Sequence, residues 1–507
     1  MTLQSANKIR SVAVIGAGPV GAGITKALLN EKYFDKIQVF EKRGGFGGLW
    51  NYTKPIFKQK KVTSCPQIPC ESAWERLEPF VHDKHGPVFQ TAVYKYLDTN
   101  VPKQLMEYDS FPFPADVPLF PSREQVLEYL IRYSRPIEEH VRFNSEVIEV
   151  EYNDERAKYV LSTKDVVAGG VERFEFDAVA VATGFYDLPY VPDRLGLKEW
   201  HAAYPDSVSH AKDFDAPEDF ADVKGEILIV GNSASGSDLA FELATTLNKR
   251  IYKSKRSESA HPAGSDDRIV DVLDVESFDA TNKSVRFIDG TVVSGVEKVV
   301  FCTGYLKSLP FLPSAGRTTS AAAGARPPPA NSGNSILASL ITSGARVHNL
   351  YNHIVPFDLP TFGIIGLPRY VLPTRLSETQ GAWLARVWSG RVTLPAKALM
   401  LEYERWFTEH NGDNGKFHDL LFPLDVQYSQ RLNKEIATAG NGGYFGVQWD
   451  SDQIKLRSSI KPLKEGYLEY LRSTGKKAHD IPELEKAGYF QWPNDALTSV
   501  EVPTLAP

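Results

Sequence analysis

Short apolar runs that stop at a glycine set the frame of this chain. Val12-Ala13-Val14-Ile15 runs unbroken into Gly16-Ala17-Gly18-Pro19-Val20-Gly21, which predicts a buried parallel strand followed by a tight turn. A helical stretch to about Asn30 comes next, then a second apolar strand, Ile37-Gln38-Val39-Phe40, ending at Glu41. The same pattern returns far downstream. Ile227-Leu228-Ile229-Val230 enters Gly231-Asn232-Ser233-Ala234-Ser235-Gly236, a helix to about Leu247, and the strand Ile251-Tyr252-Lys253. Each unit closes on a matching phrase. An apolar strand from Phe176 to Thr183 ends in Ala182-Thr183-Gly184-Phe185, and Val299-Val300-Phe301 ends in Cys302-Thr303-Gly304-Tyr305. Glu378 to Val387 has helical spacing, and no repeat of about 20–50 residues is present. Ser314 to Ser335, rich in Ala, Gly, Ser and Pro, reads as a flexible surface insertion.

Composition narrows this frame. At 507 residues the chain has room for several domains, and 42% hydrophobic with 24% charged residues is a globular balance. The net charge of −6 argues against a nucleic-acid partner, and no apolar run is long enough to span a membrane. The three cysteines, Cys65, Cys70 and Cys302, cannot form a disulfide framework, which points to a reducing, cytoplasmic home.

The glycine loops carry the chemistry. In G-x-G-x-x-G the first glycine turns the chain, the second admits a pyrophosphate and the third lets helix and strand pack; the diphosphate then meets the helix's unpaired N–H groups. Gly16, Ala17, Gly18, Pro19, Val20 and Gly21 are the residues of the first such site. Glu41, at the end of the second strand, is placed to bond ribose hydroxyls. The second loop reads G-x-S-x-S-G, with Ser233, Ala234, Ser235 and Gly236 at the phosphates. Its second strand is followed by Lys255, Arg256 and Ser257 instead of an acid, a set suited to a ribose 2′-phosphate and therefore to NADP(H); a plain solvated basic face is the other reading. Two nucleotide sites in one chain imply a flavin reduced by a nicotinamide.

Glu41-Lys42-Arg43 continues into Gly47-Gly48-Leu49-Trp50, and this continuation resembles the flavin-containing monooxygenases, the single-component, NADPH-dependent group. Thr99-Asn100-Val101-Pro102 is similar to that family's T-N-x-P segment, and Tyr204 to Phe214 (YPDSVSHAKDF) to its F-x-G-x-x-x-H-x-x-x-[FY] signature, with Asp206 in place of the glycine. Gly231 to Asp238, both threonine-glycine strand ends, and Gln380 with Trp383 extend the likeness over roughly residues 10–395. The resemblance implies an α/β fold of two Rossmann-like dinucleotide domains. The FAD domain would comprise residues 1–205 and 340–507, and the NADP domain, 206–339, would be inserted between them.

It further implies FAD and NADPH as cofactors and O₂ as co-substrate. The expected reaction is oxygenation of a nucleophilic nitrogen or sulfur through a C4a-(hydro)peroxyflavin, the substrate being a small amine, an indole-type nitrogen or a sulfide. Because the cofactor does the difficult chemistry, no acid–base dyad is needed. Asn100 is the candidate catalytic side chain, since an amide both donates and accepts. Leu49 and Trp50 would wall the flavin, Thr99 and Gln380 would touch the flavin or nicotinamide, and Val147 would reach the adenine by its position in its strand. Asp238 either serves the NADP site or only complements a helix dipole. His210 would be positional. No metal site and no membrane are expected, and a homodimer is an open assembly state.

Two rivals remain at this level. A Baeyer–Villiger monooxygenase shares the loops, although its signature ends differently from Asp213-Phe214. Cys65 and Cys70 have the C-x₄-C spacing of dithiol flavoprotein reductases, but Pro66 and Pro69 between them oppose the helix on which such a dithiol sits.

Overall fold

The structure is a computed structural model that describes residues 8–54, 65–69, 80–82, 86–259, 261–313 and 332–501. Each glycine loop leaves a parallel sheet, and the two sheets are built alike. In the first, strands β1 (Ser11–Ile15) and β2 (Lys36–Phe40) flank helix α1 (Pro19–Glu31), and Ala178–Val181, here β3, pairs on the other side of β1. Phe362–Ile364 and Val141–Arg142 complete a five-stranded sheet. In the second, β4 (Glu226–Val230), helix α2 (Ala234–Leu247), β5 (Ile251–Ser254) and β6 (Val296–Phe301) repeat this arrangement, with Val208–His210 and Ile269–Val272 at the edges.

Every residue from Val12 to Val14 and from Ile227 to Ile229 is fully buried, as expected for strands covered on both faces. Each sheet carries a three-stranded antiparallel partner: Ser145–Asn153, Lys158–Asp165 and Val171–Phe176 beside the first, and Val275–Asp279, Ser284–Phe287 and Val292–Ser294 beside the second. Between the sheets the chain crosses twice, and the crossings pair antiparallel, Leu188 with Leu306 and Pro189 with Tyr305.

Helix α3 (Pro373–Trp388) contains the stretch expected to be helical, extended at both ends, and is buried nearly all round against α1. Most of the expected insertion, 314–331, lies outside the described residues. Its last residues are helical: Ser332 caps Gly333–Ser339 by accepting from the Ser335 N–H, and Asn334 bonds the Tyr152 backbone. Side-chain capping, which composition does not register, ends the irregular stretch early. Toward the C-terminus, helix α4 (Ile460–Thr474) joins a separate apolar cluster with Leu105, Leu119 and Phe120. Among the described residues no helix is long and apolar enough to cross a membrane.

Candidate nucleotide and oxygenation site

The first loop is shaped by close backbone approach. A Cβ on Gly21 would overlap the Gly16 carbonyl, so helix α1 can start this near β1 only with glycine there. Gly18 caps α1 without a side-chain hydrogen bond, which leaves first-turn N–H groups open to an anion. Glu41 is 3% exposed and fastens this loop to the end of β2. Its two oxygens accept from the Ala17 and Arg43 N–H groups, each at 2.8 Å. Gly47 and Gly48 both have left-handed backbones, and Gly48-Leu49-Trp50 forms a single 3₁₀ turn against the loop. A Cβ on Gly48 would lie 2.8 Å from the Gly18 Cα. Asn51, not singled out from sequence, ties this turn together by donating to the Phe46 and Gly48 carbonyls. Trp50 packs at the edge of the main core. Val147 sits at a bulge two residues beyond Ser145, whose N–H donates to the Glu41 carbonyl; its side chain is in the core, so only its backbone is available.

The second loop follows the same geometry. A Cβ on Gly236 would overlap the Gly231 carbonyl, and Ser233 begins α2 with no side-chain cap, while Ser233 and Ser235 are exposed. Two uncapped helix starts behind glycine cradles fit two dinucleotides. The basic turn departs from expectation. Lys255 is neutralised by Glu258 at 2.8 Å and Asp271 at 3.0 Å, the latter supplied by the next strand of the sheet. Arg256, by contrast, is exposed and has no ion pair among the described residues. Asn232 donates to the Ser257 carbonyl and binds this turn to the loop.

The two halves meet at Asn100. Its side-chain nitrogen donates to Asp238 of α2 at 2.9 Å, and the Tyr94 hydroxyl donates to the same carboxylate oxygen at 3.1 Å. Burial pushes the Asp238 carboxyl up, opposed by the Lys464 charge and by these two bonds. Glu242, one turn further along α2, is pushed up to about 8, mainly by burial and then by Asp238. Thr99 is buried, with its hydroxyl donating to the Val101 carbonyl and its own carbonyl accepting from Lys464 of α4 at 2.8 Å. Tyr94, Glu242 and Lys464 carry no motif. Only the fold brings them to Asn100.

Gln380 differs from expectation. It is fully buried, accepts from the Gly366 N–H at 2.9 Å and donates to the Tyr428 hydroxyl at 2.8 Å, so both ends of its amide are used within the protein. The helix around it was legible; that α3 is enclosed on all sides was not. His210, 1% exposed, accepts the Lys212 N–H on Nδ1, and its Nε2 lies 3.0 Å from the Gly304 carbonyl at the second strand end. Burial pushes its pKa down to about 3, so it stays neutral. Asp206 lies in a 3₁₀ turn, Pro205–Ser207, a right-handed conformation that needs no glycine. The Cys65 thiol is pushed up to about 11 by burial, opposite to an attacking thiol; Cys70 lies outside the described residues. No cluster suited to a metal occurs among the described residues.

Two parallel sheets, each with an anion-ready helix start and bridged by contacts that include the Asn100–Asp238 bond, define a two-domain dinucleotide flavoprotein. A family model described as flavin-binding monooxygenase-like matches residues 81–260. The flavin-containing monooxygenase FMO GS-OX3 of Arabidopsis thaliana is 31% identical over 502 residues, covering 92% of this chain and 96% of that protein. The thiol-specific monooxygenase of Saccharomyces cerevisiae is 28% identical over 472 residues, covering 91% and 94%. Among solved structures, S-allyl-L-cysteine S-oxygenase from Allium sativum is 26% identical with a TM-score of 0.68, covering 94% of this chain and 97% of that one. The chain belongs to the flavin-containing monooxygenase family, and its cofactors are those of the family, FAD and NADPH.

Proposed function

We propose that this protein is an NADPH- and O₂-dependent monooxygenase that oxygenates a nucleophilic sulfur or nitrogen of a small organic molecule, with sulfur the favoured atom. The observation that carries this reading is the bond from Asn100 to Asp238, which brings the T-N-x-P segment of the first unit onto the helix of the second nucleotide loop. The preference for sulfur is supported by the relatives' names, S-allyl-L-cysteine S-oxygenase and thiol-specific monooxygenase.

Bound FAD would supply the hydride acceptance and O₂ activation that no side chain provides. The N–H groups at the start of α1 would hold its diphosphate, Glu41 orders the glycine loop, and the Gly48–Trp50 turn would wall the ring. Ser233, Ser235 and the start of α2 hold the NADPH diphosphate, and Arg256 reads the 2′-phosphate. Asn100, bonded to the second nucleotide helix, would offer its amide to the bound cofactors. Gln380 acts at a distance by fixing Gly366. We further assign an NADP domain inserted into the FAD domain, with both expected bounds, 206 and 339, moved toward the N-terminus: Leu197 and Trp200 pack with Val208 and Leu228 of the second unit, while Leu309, Phe311 and Leu337 pack with Val147 and Phe176 of the first. FAD-loaded protein should convert thioethers to sulfoxides with NADPH and O₂, and turn over amines more slowly. Turnover of neither class would end this reading.

A further inference from the structure

We propose that Asp238 is a positioning residue for Asn100: it holds the amide nitrogen on the second nucleotide helix, so that the Asn100 carbonyl oxygen is the end presented to the reaction space. The inference rests on the reading of Asn100 given above.

A side-chain amide has two ends of equal size, and which one faces a site is settled by its fixed neighbour. Here that neighbour is a carboxylate oxygen already receiving the Tyr94 hydroxyl at 3.1 Å as well as the Asn100 amide at 2.9 Å. Turning the amide over would set its carbonyl oxygen against that acceptor. Hydrogen bonds to an ionised acceptor are also roughly twice as strong as neutral ones, so the orientation is held most firmly when Asp238 is ionised.

Charged groups on several elements surround this carboxylate. Burial and the nearby Asp98 carboxylate push the Asp238 carboxyl up, Lys464 on α4 and the two hydrogen bonds pull it down, and the Glu242 carboxyl, itself pushed up to about 8, adds little further negative charge at neutral pH. The backbone is fixed from the opposite side, where Lys464, only 3% exposed, donates to the Thr99 carbonyl at 2.8 Å. Asn100 is therefore gripped through its side chain by α2 and through its preceding peptide by α4. Its carbonyl oxygen makes no hydrogen bond among the described residues, and the residue is half-buried. An acceptor here would suit a hydrogen-bond donor on the reacting cofactor or substrate.

A double-mutant cycle in the holoenzyme tests this, using Asn100→Ala, Asp238→Ala, both together, and Asp238→Asn. Asp238→Ala is expected to lower kcat about tenfold, the loss of one charge-assisted hydrogen bond, with the NADPH KM changed less than about twofold. In the Asn100→Ala background the same substitution should change kcat by less than about twofold, because the group it positions is gone. Asp238→Asn retains an oxygen that accepts both donors and should recover most of kcat. Hydrogen–deuterium exchange before any substrate is added should show residues 97–106 exchanging faster in Asp238→Ala and not in Asp238→Asn. Additive losses in the cycle, or a raised NADPH KM at unchanged kcat, would overturn the inference and leave Asn100 in place. An unchanged kcat in Asn100→Ala alone would instead remove the reading on which it rests.

Discussion

Replacing Gly48 with alanine is the sharpest perturbation of the flavin site. Gly48 has φ of 51°, in the left-handed region, where a residue with a Cβ is roughly 1–2 kcal/mol less stable. The new methyl would also lie 2.8 Å from the Gly18 Cα, a backbone atom that cannot rotate away. Separating the Gly48 turn from the glycine loop adds about 1–2 kcal/mol of overpacking. The turn proposed to wall the flavin is then disfavoured by about 2–4 kcal/mol. If FAD binds only the closed arrangement, its affinity falls about 30- to 1000-fold. The assay is the ratio of flavin to protein absorbance after purification, followed by FAD titration of the apoprotein. Gly45→Ala, three residues earlier, is the control: no heavy atom lies within 4 Å of its added Cβ, and its φ is not in the left-handed region. Full flavin content in Gly48→Ala, or equal loss in Gly45→Ala, would refute the reasoning.

Arg256→Ala should raise the NADPH KM about 10- to 100-fold and leave NADH use nearly unchanged, as expected when one charge-assisted contact to a phosphate is lost; Lys255→Ala should do less, since Glu258 and Asp271 already hold that cation. His210 has a folded pKa near 3 because of burial, so as pH drops below about 6.5 the unfolded chain takes a proton that the folded chain refuses, and stability is lost. His210→Gln keeps a donor for the Gly304 carbonyl without that titration. From pH 6.5 to 5, urea unfolding should show wild type losing about 2 kcal/mol more than the variant, and parallel pH profiles would contradict the assignment. Cys65→Ser should retain full NADPH oxidation, and the reduced protein should show no long-wavelength thiolate–flavin band; loss of turnover would revive a dithiol mechanism.

Both parallel units were legible because their signals are local. Unbroken apolar strands, glycines at loop positions and the Glu41 strand end all follow from a few adjacent residues. What remained hidden depends on distant partners. Lys255 looks like a free cation until β5 pairs with 269–272 and brings Asp271 alongside. Gln380 looks available until α3 is enclosed and Tyr428 arrives from 48 residues away. Asp238 could be read as a dipole partner, and its bond to Asn100 spans 138 residues. The grip of α4 on Thr99 spans 365 residues and comes from a C-terminal region with no recognisable motif.

In the proposed reaction one atom of O₂ enters a sulfur or nitrogen centre at the expense of NADPH. Turnover of a simple thioether by FAD-loaded enzyme under isotopically labelled O₂, with NADPH consumption followed in the same vessel, tests it directly. About one labelled oxygen is expected in the sulfoxide for each NADPH oxidised, with the second oxygen reduced to water. Sulfoxide carrying its oxygen from solvent, or NADPH consumed without O₂, would contradict it.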